Sequence, residues 1–314
     1  MSGTVFYKNH PSTCIVVEGG DSFQFLQSQF SNNLKGTGPG LVTYGLWLDR
    51  RGKVAADSFV FCQDSNRFII HSYFCSPSSI IEKLEENIIA DDVTLTDQSG
   101  LFTSFSCWGL EDTEWLAALG LNEPNPEAFN EREGSIIWVS RRSRSKSLDF
   151  LVPEESISEL EGKVDEYLAQ TGGHWASENE LHTERIVSGI PWIPIEIGPN
   201  EFPQEGSLES DSVSFTKGCY LGQEVMARIF SRGAVKRGLY RVFSENWRDK
   251  LDMPCRLFLG GIDVGELRSM IPSEGGYLGH ALLRISAVDS KVSLSLGPGD
   301  NSVVKVVDRI GLIE

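Results

Sequence analysis

Apolar residues in the first 190 positions follow two different spacings. Short β-branched and aromatic runs predict strands, among them CIVVEG at 14–19, RFIIHSY at 67–73 and SIIWVS at 135–140. The stretch at 41–63 predicts a hairpin that turns at Asp49-Arg50-Arg51-Gly52. Strand-like runs of this kind, joined by tight turns, favour antiparallel pairing.

Helical spacing separates these runs. Phe23, Leu26, Phe30 and Leu34 fall on one helical face after Asp21, which is a good N-cap residue. Further helices are predicted to begin at Ser76-Pro77, to span Glu154 to Leu168, and to run from a capping box at Ser177–Glu180 to about Ser188. Interleaved helices and strands predict an α+β region.

The pattern changes after Arg232. GLYRVF, CRLFLGG, IDVGELRS, YLGHALLRI, KVSLSLG and NSVVKVVDRI predict six short strands separated by Gly, Pro and Asp, with no helical period. That pattern predicts a small β-barrel. We therefore expect an α+β region over residues 1–231 and a C-terminal β-barrel over residues 232–314.

Composition and charge narrow the class of protein. The 314 residues are 40% hydrophobic and 23% charged, which is typical of a globular protein, and the net charge is −16. Direct nucleic-acid binding by the surface as a whole is not expected at that charge. No apolar run is long enough to span a membrane and no signal sequence is recognised, so a cytoplasmic protein is expected, with an organelle matrix as the alternative. We also expect a monomer.

The six cysteines form no CxxC pair and no zinc-type spacing, and free thiols fit a reducing compartment. Two clusters of basic residues stand out on this acidic chain. RRSRSK at 141–146 is expected to be a solvated loop. The second cluster is expected to form a collar that docks an anionic partner or ligand; it comprises Lys217, Arg228, Arg232, Lys236 and Arg237.

KGCYLGQE at 217–224 is the strongest chemical signal. Gly218 and Gly222 allow a tightly turned backbone on either side of Cys219. A helix is predicted to begin at Gln223-Glu224. The helix dipole, with Lys217 and Arg228, would stabilise a Cys219 thiolate. The alternative is that Cys219 packs with Tyr220 in a buried turn. No histidine lies nearby in sequence, which disfavours a Cys/His hydrolase.

These residues resemble the YgfZ branch of the YgfZ/GcvT folate-binding family. KGCYLGQE matches its K-G-C-Y-x-G-Q-E signature, and ERIVSGIPWIPIEIGPNEFPQE, FLQSQFSNNL, RRGKVAADSFVF and GIDVGELRSM resemble other family segments. The resemblance implies two ferredoxin-like folate-binding lobes around a central hole, plus a C-terminal β-barrel. It also implies a tetrahydrofolate-linked protein that supports iron–sulfur cluster assembly or repair and affects tRNA thio-modification.

The resemblance further implies a functional thiol at Cys219, and folate contacts from Asp57, Arg185 and Arg228. Iron–sulfur proteins or their assembly machinery would be the partners. Related aminomethyltransferases carry carboxylates at two positions that are Cys219 and Val187 here. Two alternatives stay open: a folate-dependent one-carbon transferase that uses Asp57, and a non-catalytic binding module in which Cys219 is buried. Whether the protein is itself an enzyme is left open.

Overall fold

The computed structural model describes residues 3–9, 13–34, 38–233, 235–247, 251–288, 292–298 and 303–311. The chain divides into two compact units. Unit 1 contains residues 1–48, 56–178 and 212–221, and unit 2 contains residues 49–55, 179–211 and 222–314.

Within the described residues, unit 1 contains two sheets and three α-helices. Its strands are β1 Val5–Asn9, β2 Thr13–Glu18, β3 Leu41–Leu48, β4 Val54–Cys62 (which begins in unit 2), β5 Arg67–Ser72, β6 Thr94–Asp97, β7 Phe102–Trp108, β8 Phe129–Arg132, β9 Ser135–Val139, β10 Ser147–Pro153 and β11 His174–Trp175. Its helices are α1 Ser22–Gln29, α2 Pro77–Glu85 and α3 Ile157–Thr171. One sheet has the order β3-β4-β5-β2-β6 and the other the order β11-β1-β7-β10-β9-β8. Strands β4, β5, β2 and β6 of the first sheet pair antiparallel, and the other sheet is mixed because β1 and β11 are parallel.

The two sheets of unit 1 pack against each other through aromatic side chains. Trp138 of β9 lies 5.7 Å from the ring of Phe59 and 4.9 Å from that of Phe61, both in β4 (centroid distances). The other face of the β9-containing sheet packs on α3, whose Leu160 and Val164 are buried. The alternation in the sequence therefore gives a layered core.

The helices predicted after Asp21, at Ser76-Pro77 and after Ser177 begin where expected. Helix α3 instead begins at Ile157, after a 3₁₀ turn at Glu154–Ser156, and α1 is shorter than its apolar spacing suggests. Ser76 Oγ accepts a hydrogen bond from the Ser79 N–H, as expected for an N-cap. Asp21 occupies the N-cap position of α1, yet its carboxylate accepts from the Asp92 N–H instead. Helix α1 ends at Gln29, and Phe30 turns into extended backbone opposite Trp47. Phe30 and Leu34 are buried, but outside the helix.

Unit 2 contains the predicted barrel. Its helices are α4 Glu178–Val187, α5 Glu209–Ser212 and α6 Gln223–Arg232. Its strands are β12 Arg237–Ser244, β13 Cys255–Leu259, β14 Ile262–Ser273, β15 Gly276–Arg284, β16 Ser293–Leu294 and β17 Val304–Arg309. They form one sheet in the order β13-β14-β15-β12-β17-β16, and a bridge from Phe258 to Ser295 nearly closes it. A strand forms in each of the six predicted stretches, although β16 covers only Ser293–Leu294 of its stretch. Lys291, Asn301 and Ser302 of the predicted strands lie outside the described residues.

The division of the chain between the two compact units differs from the expected boundary between residues 231 and 232. Residues 179–211 and 222–231 belong with the barrel. Buried carboxylates explain part of this grouping, because Glu196 bonds His280 of β15 and Glu201 bonds Arg237 of β12. In the part of the chain that the structure describes, no helix is both long and apolar enough to cross a membrane.

Candidate functional site

The KGCYLGQE segment has one exposed thiol and one buried ring. Cys219 is exposed, whereas Tyr220 is only 6% exposed and burial raises its pKa to about 12. Helix α6 begins at Gln223, as predicted. The alternative in which Cys219 is buried with Tyr220 is wrong, because the two side chains lie in opposite environments.

Lys217 anchors the segment to the end of α1. Its Nζ donates to the carbonyl oxygens of Gln27, Phe30 and Asn32 at 2.6, 2.7 and 2.8 Å. An ammonium has three N–H donors, so these carbonyls match its full capacity. A cation is also favourable at a helix C-terminus, where carbonyls lack intrahelical partners. The contacts that the structure describes for Lys217 are thus structural, and they explain why α1 ends where it does.

The two glycines of the motif have different roles. Gly222 has a φ of 85°, and a Cβ there would lie 2.7 Å from the Asp49 carbonyl oxygen and 3.0 Å from the Gly52 Cα. It therefore lets the start of α6 approach the turn between β3 and β4. Gly218 differs, because a Cβ there would meet nothing within 4 Å. The prediction that both glycines shape the loop holds sterically for Gly222 alone.

The first turns of α6 carry an exposed ion pair. Glu224 and Arg228, four residues apart, form a short contact and both are largely exposed. Such pairs add only about 0.3–0.5 kcal/mol to stability. Arg228 was predicted to contact folate and to stabilise a thiolate, but its guanidinium already has a carboxylate partner within the helix.

The other five cysteines are less suited to nucleophilic chemistry than Cys219. Burial raises the pKa of Cys14 to about 12 and also raises the pKa values of Cys62, Cys75, Cys107 and Cys255. A raised pKa keeps a thiol protonated at neutral pH, and the thiolate is the reactive form.

Asp57 lies enclosed in unit 1. It is 4% exposed; Tyr44 donates to one carboxylate oxygen at 2.9 Å and Ser72 to the other at 3.2 Å. Burial raises the pKa of Asp57, while these hydrogen bonds act in the opposite direction. Asp57 is thus a buried carboxyl with internal hydrogen bonds, and its folate contact stays a prediction.

Arg185 is buried in a charged network of unit 2. It is 2% exposed and donates to Glu196 at 2.7 Å and to the Ile190 carbonyl at 3.0 Å. His280 Nδ1 lies 2.8 Å from the same carboxylate. The charges of Arg185 and His280 hold the pKa of Glu196 well below its usual range, despite burial. Arg185 therefore supports the fold, and its folate contact stays a prediction.

The predicted docking residues of the barrel have different surroundings. Lys236 is exposed. Arg237 bonds Glu205 at 2.7 Å and Glu201 at 3.2 Å, so its charge already balances two buried carboxylates. The side chain of Arg232 lies outside the described residues. Because the charge of Arg237 is already balanced, the predicted basic collar has less uncompensated positive charge than its sequence suggests.

RRSRSK at 141–146 was expected to be a solvated loop, but the side chain of its second arginine is buried in the core. Arg142 is 3% exposed and its guanidinium lies 3.9 Å from the Tyr73 ring. Its Nε is 4.0 Å from Asp149, which is fully buried and accepts a short hydrogen bond from Tyr73. A signal was present in the sequence, because Asp149 interrupts an otherwise apolar strand and requires a partner.

The described residues contain no group of three or more His, Cys, Asp or Glu side chains that could hold a metal ion.

A family model described as the GCVT N-terminal domain matches residues 10–130. This match covers fewer than half of the residues, and together with the relatives described next it supports the resemblance to the YgfZ/GcvT folate-binding family.

The relatives that this chain matches are divergent. It is 25% identical to the "tRNA-modifying protein YgfZ" of Pectobacterium carotovorum, over 71% of this chain and 65% of the relative. It is 23% identical to the "Iron-sulfur cluster assembly factor IBA57 homolog, mitochondrial" of Aspergillus clavatus, over 95% of this chain and 63% of the relative. The matches span about two thirds of the length of these relatives.

The fold has a solved counterpart. The glycine cleavage system aminomethyltransferase T from Bartonella henselae superposes with a TM-score of 0.81, over 98% of this chain and 85% of that protein, at 15% sequence identity. The predicted fold class is therefore confirmed.

Proposed function

We propose that this protein supports the assembly or repair of iron–sulfur clusters in client proteins, with Cys219 as its functional thiol. The observation that carries the proposal is the exposure of Cys219 on a loop anchored by Lys217, while burial raises the pKa of the five other cysteines. The names of the relatives, one tRNA-modifying and one an iron–sulfur cluster assembly factor, support the same function.

One thiol sets limits on the mechanism. Iron–sulfur clusters usually take four protein ligands, so Cys219 alone does not hold one. The cluster is cargo, and the remaining ligands come from the client or from a carrier. Cys219 then supplies one ligand that is exchanged during transfer or repair. An effect on tRNA modification follows indirectly, through a client enzyme, because a chain of net charge −16 is poorly suited to binding RNA over its whole surface.

Tetrahydrofolate is the ligand that the family likeness suggests, and client iron–sulfur proteins in the cytoplasm are the partners we propose. The three residues predicted to bind folate have polar groups that are engaged within the protein: Asp57 with Tyr44, Arg185 with Glu196, and Arg228 with Glu224. No step of the mechanism is therefore assigned to folate.

The thiol is tested by native alkylation, mapped by mass spectrometry, and by rescue of iron–sulfur enzyme activity in cells that lack the native factor. We expect Cys219 to label fastest and Cys219→Ser to lose rescue. Cys255→Ser is the matched control, because Cys255 is the other cysteine that is not buried. Full rescue by Cys219→Ser would refute the proposal, and so would preferential labelling of Cys255.

Folate binding and one-carbon transfer are tested separately. We expect calorimetry to show modest binding of tetrahydrofolate, and a glycine-cleavage assay with the partner proteins to show no activity. The reason is that Val187 and Cys219 stand where aminomethyltransferases carry carboxylates. Sustained methylene transfer would instead favour the transferase alternative.

A further inference from the structure

One end of the barrel has a basic concave surface that has no role in the function proposed for Cys219. The concavity has a volume of about 760 Å³ and is lined by Val235, Lys236, Arg237, Arg284, Ile285 and Ser286. That volume lies within the range of small-molecule sites. All of these residues belong to unit 2.

Strand pairing brings three of the lining cations together here: Lys236, Arg237 and Arg284. Arg237 of β12 lies directly opposite Arg284 of β15, and the Ile285 N–H donates to the Lys236 carbonyl at 3.0 Å. Neighbouring strands lie about 5 Å apart, so the side chains at these strand ends are close enough to share one ligand.

Two of these cations have no carboxylate partner among the described residues. Arg237 is paired with Glu201 and Glu205, but in the part of the chain that the structure describes no ion pair forms at Lys236 or Arg284. Other surface cations of the described chain commonly have partners, as Lys8 does with Glu161 and Lys305 with Glu245. On a chain of net charge −16, these two neighbouring cations beside Arg237 create a local positive potential.

We propose that this concavity binds a small organic polyphosphate, of the class of a nucleoside diphosphate or triphosphate. Lys236 and Arg284 supply two positive charges to adjacent phosphates beside Arg237, and arginine binds phosphate oxygens through paired N–H groups. Val235 and Ile285 offer apolar contact to the organic part. The concave shape and the acidic remainder of the chain favour a small ligand over RNA. The inference does not depend on the function proposed for Cys219.

The test is calorimetry of the full chain with inorganic tripolyphosphate and with ADP, at low and at raised salt. We expect one site per chain whose affinity falls as salt rises. Lys236→Gln/Arg284→Gln should weaken binding by at least about tenfold, since each removes a charge-assisted contact. Lys163→Gln/Lys305→Gln is the control of equal charge change and should stay within about twofold. Melting temperatures of both variants are measured in parallel.

Several outcomes would overturn the proposal. One is the absence of saturable binding of either probe at low salt. Another is an equal loss of affinity in the two double variants, which would show a general charge effect. A third is binding of a short RNA oligonucleotide without binding of tripolyphosphate, which would make this surface an RNA contact. Retained binding in Lys236→Arg, with loss in Lys236→Gln, would support it.

Discussion

Two buried networks, one in each unit, pair an arginine with a carboxylate but differ in how well the charges are satisfied. In unit 2, Glu196 accepts from Arg185 and from the Trp192 N–H at 2.7 Å and lies 2.8 Å from His280. In unit 1, Arg142 lies 4.0 Å from Asp149, and the nearer Asp149 oxygen has no hydrogen-bond partner among the described residues. Both carboxylates are fully buried.

The pKa values of these two buried carboxyl groups are shifted in opposite directions. The charges of Arg185 and His280 lower the pKa of Glu196, whereas burial raises the pKa of Asp149 more than the charge of Arg142 lowers it. Burial alone disfavours a charged carboxylate, so the contrast shows that direct charge-assisted hydrogen bonds decide the outcome. Removing one partner of a buried, hydrogen-bonded ion pair is costly, because the remaining charge is then buried without compensation.

The largest effect is expected from Glu196→Gln. The change leaves Arg185 buried without its carboxylate, and we expect a loss of about 3–5 kcal/mol in the free energy of unfolding. Urea denaturation measures it, with far-ultraviolet circular dichroism to check that the variant folds. A loss below about 1 kcal/mol would show that the network contributes little, and would remove the contrast between the units.

A smaller effect is expected from Asp149→Asn, about 1–2 kcal/mol, because the amide oxygen still accepts from Tyr73 and one carboxylate oxygen had no partner to lose. The same denaturation experiment measures it. If Asp149→Asn costs as much as Glu196→Gln, hydrogen-bond satisfaction is not what separates the two networks.

The pH dependence of these two losses sharpens the comparison. Glu196 has a lowered folded pKa, so its contribution is present above the unfolded value of about 4.5 and is lost as pH falls below it. Asp149 has a raised folded pKa, so its contribution is lost as pH rises from about 3.8 through the folded value. Between pH 4 and 7, the cost of Glu196→Gln should grow and that of Asp149→Asn should shrink. If the costs of the two substitutions changed in the same direction with pH, the directions assigned to the two pKa shifts would be contradicted.

The smallest effect is expected from Glu224→Gln, which breaks the exposed pair with Arg228 at the start of α6. Water already solvates both groups, so the loss should be about 0.3–0.5 kcal/mol and should decrease with added salt. Thermal unfolding at two salt concentrations checks this. A loss comparable to that of Asp149→Asn would mean that the pair is less exposed to solvent than its surface position indicates.

The sequence by itself determined the layered α+β region, the barrel strands, the start of α6 at Gln223 and the cysteine motif. These are local properties, because periodicity, capping residues and turn residues act within a few positions of each other. The contact of Gly222 with the β3–β4 turn illustrates the limit. The glycine was evident in the motif, but its partner is about 170 residues away in the chain.

Only the tertiary structure decided which charges are free. Lys217, Arg142, Arg185 and Arg237 are indistinguishable by type from exposed cations, yet each is directed at carbonyls or carboxylates from distant segments. It also ended α1 at Gln29, where a lysine from residue 217 takes the free carbonyls. Burial and hydrogen bonding depend on all neighbours in space, and the spacing of residues along one segment does not contain that information.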